Sequence, residues 1–498
     1  MPLESARGGK ATTVEQQTWQ LGLRFETAED PQGADGVAAS HPRDAATTAA
    51  PKSKSKEKTV TSATMEEVTR RLAEAFQKVA SNRGAPGPDR QGIEQVRAHL
   101  SEVVAELTTA LLAGTYEPGD IRRVWISKAG GGQRGLGIPN VADRVVQEAV
   151  RQVLEPLYEP AFHASSHGFR PERSCHTAIA EARRHLEDGY EWVVDLDLER
   201  FFDRVNHQRL MARLAQRVDD KRLLVLVGRM LKAKVVMPDG VVVGTQEGVP
   251  QGGPLSPLLS NIVLDELDGE LERRGHRFVR YADDCNIYVR SERAGQRVMA
   301  SVVSFIERRL RLKVNASKSA VARPEERHFV GFRLRREPLD GEVEVLLSKR
   351  SKDRIDERIR ELTPRWWGRS LRACIQTTNV YLLGWLGFFG ICTAGVERTL
   401  SNLDAHIRRR LRAIQVAHWK SRSTMARKLV GLGVRAKVAW RTTYAGRRSV
   451  WALSHTPAMH QGLRNAYFAE RGLVSLVDHY RKKLEPPVAP AQLRLALG

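Results

Sequence analysis

Tyr281-Ala282-Asp283-Asp284 sets two adjacent carboxylates between two short runs, residues 276–280 and 285–289. Both runs are rich in β-branched and aromatic residues, so the Asp pair falls at the turn of a β-hairpin. Adjacent carboxylates repel unless a cation lies between them. Asp also favours turns by bonding its own backbone, so four residues alone do not decide between a metal site and an acidic turn. A second acidic strand does. Residues 192–198 read Trp-Val-Val-Asp-Leu-Asp-Leu, a mostly apolar strand carrying Asp195 and Asp197. A buried carboxylate is costly unless paired or bound to a metal, and residues two apart share one face of a strand. This strand can lie beside the hairpin, and three carboxylates would then meet on one sheet edge.

The intervening chain supports this. Gly248-Val-Pro-Gln-Gly-Gly-Pro254 is a loop, and a helix begins after it with Pro257 in its first turn. Glycine's missing side chain lets such a loop approach a nucleotide closely. From about 190 to 335 the order is strand, helix, strand (241–244), hairpin, helix, strand (328–334). An α+β fold with a small antiparallel sheet and helices on one face is expected. Upstream, Thr64 and Glu67 make a capping-box pattern, and Met65, Val68, Leu72, Phe76 and Val79 repeat at helical spacing. Residues 121–139 read as a hairpin whose tip offers Lys128 and Arg134. These cations suit a triphosphate, and equally suit an exposed edge.

The chain is long enough, at 498 residues, for two or three domains, and its net charge of +22 points to a polyanionic partner. The excess is uneven. Residues 401–450 hold thirteen Lys or Arg against one acid, Asp404. Arg408, Arg409, Arg410 and Arg412 share one predicted helix and Lys420 follows, a pattern suited to RNA binding. Residues 1–60 are too poor in apolar residues to form a core and are expected to be a disordered extension. Four scattered cysteines form no C-x-x-C pair, which excludes a zinc module and a secreted disulfide framework. No apolar run reaches membrane-spanning length and no signal core is visible, so a reduced cytoplasmic compartment is expected.

Tyr-Ala-Asp-Asp, the Asp197 strand ending in Phe-Phe-Asp, and Gln-Gly-Gly-Pro-Leu-Ser-Pro stand in the order used by reverse transcriptases. Arg122-Arg-Val-Trp-Ile-Ser-Lys128, Leu136-Gly-Ile-Pro139, Gly168-Phe-Arg-Pro171 and Phe329-Val-Gly-Phe332 resemble the bacterial group II intron-encoded reverse transcriptase and maturase. Gly384-Trp-Leu-Gly-Phe-Phe389 and the arginine-rich helix resemble its maturase region. The resemblance covers roughly residues 65–480 and implies a right-hand polymerase: fingers and palm over 61–345, a helical thumb and maturase domain over 346–435, and a basic region over 436–498 that binds DNA or RNA. By motif, Asp197, Asp283 and Asp284 hold two Mg²⁺ ions, with Mn²⁺ as a substitute, and perform two-metal phosphoryl transfer. Phe202 is then the steric gate, Gln251 contacts the nucleotide, Lys128 and Arg134 grip the triphosphate, and Lys318 matches the lysine after the palm helix. Asp195 matches a less constant position and stays outside the site.

The implied function is an RNA-directed DNA polymerase, in a bacterial cytoplasm and associated with nucleic acid. It binds its intron RNA, assists splicing and copies the intron into DNA, using deoxynucleoside triphosphates and a DNA primer or target. The alternatives are a free-standing enzyme in phage defence or CRISPR adaptation, and a splicing-only RNA-binding maturase. Many family members end in an HNH nuclease. No Cys and His pattern follows the basic region here, so no second-strand cleavage is expected.

Overall fold

The computed structural model describes residues 63–127, 132–364, 366–445 and 449–484. The expected disordered extension over 1–60 lies outside them. The described strands are β1 (Ile121–Ser127), β2 (Gln133–Ile138), β3 (Trp192–Leu196), β4 (Val235–Val236), β5 (Val242–Val243), β6 (Arg277–Tyr281), β7 (Asp284–Val289), β8 (Ala320–Ala322), β9 (Phe332–Arg336) and β10 (Val343–Leu347). The chain divides into two compact units. The first is Met1–Glu172, Leu198–Arg273 and Val303–Asn315, and the second is Arg173–Asp197, Arg274–Val302 and Ala316–Gly498. These units interleave along the chain, whereas boundaries at 60, 345 and 435 would cut it consecutively.

In the first unit the Thr64 hydroxyl accepts from the Glu67 N–H at 3.3 Å and starts the first described helix. The next helix, Leu72–Ser81, buries Leu72, Phe76 and Val79, one turn apart on one stripe. It packs against the Val141–Tyr158 helix, which buries Val145, Val146, Ala149 and Val153 in return. The sheet of this unit has the order β2-β1-β4-β5. β1 and β2 form the expected antiparallel hairpin, from Arg122↔Ile138 to Ser127↔Gln133.

The second unit contains an antiparallel sheet of order β6-β7-β3-β8. β3 and β7 are central, so each buries apolar residues on both faces: Val193 and Val194 on β3, Ile287 and Tyr288 on β7. Two strands expected here go elsewhere. Val242–Val243 pairs with β4 in the first unit, and Phe332–Arg336 pairs with Val343–Leu347 in a two-stranded ribbon. The place beside β3 is taken by Ala320–Ala322, a strand too short for alternation to reveal. From Lys349 the unit is helical, including Lys349–Leu362, Leu371–Phe389 and Val396–His418. One apolar cluster runs from Ile179 and Val193 through Phe332, Trp385 and Leu411 to Phe468 and Tyr480. Among the described residues no helix is long and apolar enough to cross a membrane.

Candidate active site

β3 and β7 pair with Asp195 opposite Asn286 and Leu196 opposite Cys285. One step further along this register, Asp197 comes level with Asp284. β6 and β7 close at Tyr281↔Asp284, leaving Ala282 and Asp283 as a two-residue turn. Ala282 has φ +57°, the left-handed conformation such a tight turn requires. Arg280, fully buried, donates from Nη1 to the Ala282 carbonyl at 2.9 Å and braces the turn. Sequence reasoning passed over Arg280; its one signal was a cation inside an apolar strand.

Asp197 is held from the neighbouring segment. Its N–H donates to Ser319 Oγ at 3.0 Å, and its Oδ2 lies 3.4 Å from Lys318 Nζ. Lys318, expected at the nucleotide, therefore sits on a carboxylate. Asp195 pairs with Arg327, whose Nε and Nη2 lie 2.8 and 2.7 Å from Oδ2. The same guanidinium donates to the Lys318 carbonyl, so one arginine ties the acidic strand to the lysine segment. Nothing in the motif spacing announced Ser319 or Arg327.

The carboxylates feel one another. The protein packed around Asp284, and then the charges of Asp283, Asp195 and Asp197, raise its carboxyl above the usual range, with Lys318 opposing. Water still reaches the Asp284 side chain, and its acidic neighbours repel its charge. Burial likewise raises Asp195, against its bond to Arg327. Among the described residues no three His, Cys, Asp or Glu side chains are gathered so as to hold a metal ion. The three expected ligands are still neighbours, since the charges of Asp283 and Asp197 both act on Asp284. Like charges repel, and the Lys318 ammonium stands 3.4 Å from one of them, Asp197. The donor chemistry does fit a hard divalent ion: oxygen ligands whose mutual repulsion a cation would relieve.

The first unit holds the other candidates. Phe202 is half-buried, with its ring edge-on to Phe201 at 5.3 Å. Its carbonyl accepts from the Val249 N–H at 2.6 Å, and His207 Nε2 lies 2.7 Å from the Gly248 carbonyl. Gly248 has φ +93° and no room for a Cβ, which would stand 2.9 Å from Phe202 O. The Gln251 carbonyl accepts from the Gly137 N–H on β2 at 2.6 Å. A Cβ on Gly252 would meet Gly137 O at 2.5 Å. Gly252 thus lets the loop pack closely on β2, and Gly248 lets it pack on the Phe202–Asp203 backbone. Arg134 stands on β2 opposite Ile126 and is half-buried. Lys128 lies outside the described residues.

Residues 126–334 match the family described as reverse transcriptase (RNA-dependent DNA polymerase). Residues 352–430 match the maturase-specific domain of group II introns. Protein YkfC of Escherichia coli (strain K12) is 34% identical over 317 residues, 55% of this chain and 83% of that protein. The chain belongs to the group II intron-encoded reverse transcriptases. The group II intron-encoded protein LtrA of Lactococcus lactis subsp. cremoris is 28% identical over 396 residues, 62% of this chain and 65% of LtrA. The putative COX1/OXI3 intron 2 protein of Saccharomyces cerevisiae is 34% identical over 208 residues, 41% of this chain and 24% of that protein.

In this reverse transcriptase the maturase-specific stretch includes the arginine-rich helix, Val396–His418. The four arginines share this helix but differ in exposure. Arg412 is buried and donates from Nε to the Leu463 carbonyl at 3.1 Å. Arg410 donates to Thr363 Oγ1 at 2.5 Å and to the Thr363 carbonyl at 2.6 Å, closing the end of the Lys349–Leu362 helix. Arg409 lies over the Trp451 ring at 4.1 Å, and Arg408 is half-buried. Aromatic and carbonyl partners from distant segments thus hold Arg409, Arg410 and Arg412. Lys420, Arg427 and Lys428, just beyond, are exposed.

Proposed function

We propose that this reverse transcriptase binds the RNA of a group II intron, assists its splicing and copies it into DNA at a new site. The observation that carries this is the alignment of Asp197 with Asp284, beside the Asp283 turn, in a chain that also matches the maturase-specific domain. Asp197, Asp283 and Asp284 would hold two Mg²⁺ ions, for which Mn²⁺ could substitute. When bound, the ions lower the pKa of the attacking hydroxyl and neutralise charge on the triphosphate. Lys318, which pairs with Asp197, would also offer its charge to the phosphates. Phe202 packs against the sugar and excludes a 2′-hydroxyl. Gln251 contacts the incoming deoxynucleoside triphosphate, and Lys128 and Arg134 grip its phosphates. The partners are intron RNA and a DNA primer or target. The maturase-specific match favours this reading over a free-standing enzyme.

The test uses Asp283→Ala and Asp284→Ala in full-length protein. Each should lose Mg²⁺-dependent extension of a DNA primer on an RNA template while still binding intron RNA and promoting splicing. Extension at the wild-type rate by either variant would remove the assignment.

A further inference from the structure

The helix Ala436–Tyr444 is two-faced in an unusual way. Its inner face carries Ala439 and Thr443, both buried. Its outer face carries residues 437, 440, 441 and 444, which the 3.6-residue period places in one stripe. Those residues are Lys437, Trp440, Arg441 and Tyr444, and all four are exposed. Trp440 and Tyr444 are 41% and 51% exposed, and their rings stack on each other at 5.6 Å between centroids, 21° from parallel. Two rings left at the surface side by side, with a cation beside each, do nothing for the core beneath them. No Asp or Glu occurs from Ala405 to Ala469, so no acid in this stretch neutralises the face.

We propose that the Trp440–Tyr444 face binds an unpaired stretch of RNA, with bases stacking on the rings and Lys437 and Arg441 on the phosphates. Flat π-faces accept any base, and cations track the backbone. A duplex keeps its bases stacked inside and offers the rings nothing. RNA is favoured over DNA because this helix rests on Arg422–Gly431, the helix in which the maturase-specific match ends. The inference rests on the reading of the chain as an intron-binding maturase and gives one face of the basic region over 436–498 a specific ligand, single-stranded RNA.

The experiment uses full-length protein and a short uridine-rich RNA carrying 5-iodouridine, which cross-links to aromatic residues it stacks on. Cross-linked peptides of the wild type should contain Trp440 or Tyr444. The double variant Trp440→Ala/Tyr444→Ala should bind this RNA about fivefold to a hundredfold more weakly. Its affinity should fall at every salt concentration with an unchanged salt slope, because no charge is removed. Trp440→Phe/Tyr444→Phe should keep most of the affinity, and an RNA duplex of equal length should lose little in either variant. Extension on a short primed template should be unchanged.

Unchanged RNA affinity in a folded double Ala variant would overturn the proposal, as would cross-links only elsewhere. Tighter binding of single-stranded DNA, lost in the same variant, would overturn the choice of RNA. If the Ala variant does not fold, the wild-type cross-link and the Phe variant decide. A wild type that cross-links at Trp440 but neither binds nor splices intron RNA would leave this face standing and remove the maturase reading.

Discussion

Asp404 Oδ1 accepts a hydrogen bond from the backbone N–H of Leu476 at 3.0 Å. Its Oδ2 takes the Ser475 hydroxyl at 3.1 Å. The one acid among thirteen cations in residues 401–450 thus caps a helix, Leu476–Leu484, that begins far along the chain. It is only 5% exposed, so its carboxylate could not be spared from those donors to receive anything else.

Asp404→Ala orphans a buried N–H and a hydroxyl. A loss of about 1–3 kcal/mol is expected, the usual cost of a lost cap or an unmet buried donor. Denaturant melts of the two proteins measure it. Asp404→Asn keeps an acceptor and should lose less. Extension on a short primed template at low temperature should survive both changes.

The arginines divide by exposure. Arg412 is 5% exposed, and burial, with Arg408 nearby, pushes its pKa down to about 10. Arg412→Ala should lower the melting temperature and leave the salt slope of RNA binding alone. Replacing Lys420, Arg427 and Lys428 with Ala should leave the melting temperature alone. It should weaken intron binding and reduce the salt slope by roughly one for each phosphate left without its cation. Titrations at several salt concentrations separate the two.

A pH dependence follows from Asp143, which is buried and takes the Tyr116 hydroxyl at 2.5 Å and the Gly119 N–H at 3.2 Å. Burial raises its carboxyl above the ordinary value, outweighing those bonds. The folded form therefore keeps its proton to higher pH than the unfolded chain does. The contribution of this group to stability is complete below the unfolded carboxylate pKa, about 4, and is lost as pH rises through the folded value. Asp143→Asn should remove that part of the decline. Unfolding free energies measured from about pH 4 upward should show a flatter curve for the variant.

Phe202→Val should admit ribonucleotides, by at least about tenfold in the ratio of kcat/KM for ribo- against deoxyribonucleotide, a change of about 1.4 kcal/mol. Deoxyribonucleotide use should fall only modestly. Single-nucleotide insertion kinetics read the ratio directly. An unchanged ratio assigns Phe202 to packing against Phe201.

What sequence alone determined was local. The hairpin around Asp283 and Asp284 follows from strand-forming runs on both sides of a tight turn. The shared face of Asp195 and Asp197 follows from the two-residue period of a strand. The Thr64 cap and the stripe of Leu72, Phe76 and Val79 follow from helix-end chemistry and the 3.6-residue period. Each rule acts over a few residues, so it can be read without knowing the fold. The tertiary structure decided the partners. Arg327 reaches Asp195 across 132 residues, and Ser319 meets the Asp197 N–H across 122. Val242–Val243 left the acidic sheet because β4 offered it an edge. Arg410 and Arg412 were drawn into the protein by carbonyls at Thr363 and Leu463, 47 and 51 residues away. A cation and a carbonyl carry no periodic signal of one another. Whether such an arginine meets water or a buried acceptor is settled only when distant segments pack, because burial, unlike helix or strand period, belongs to the assembled chain.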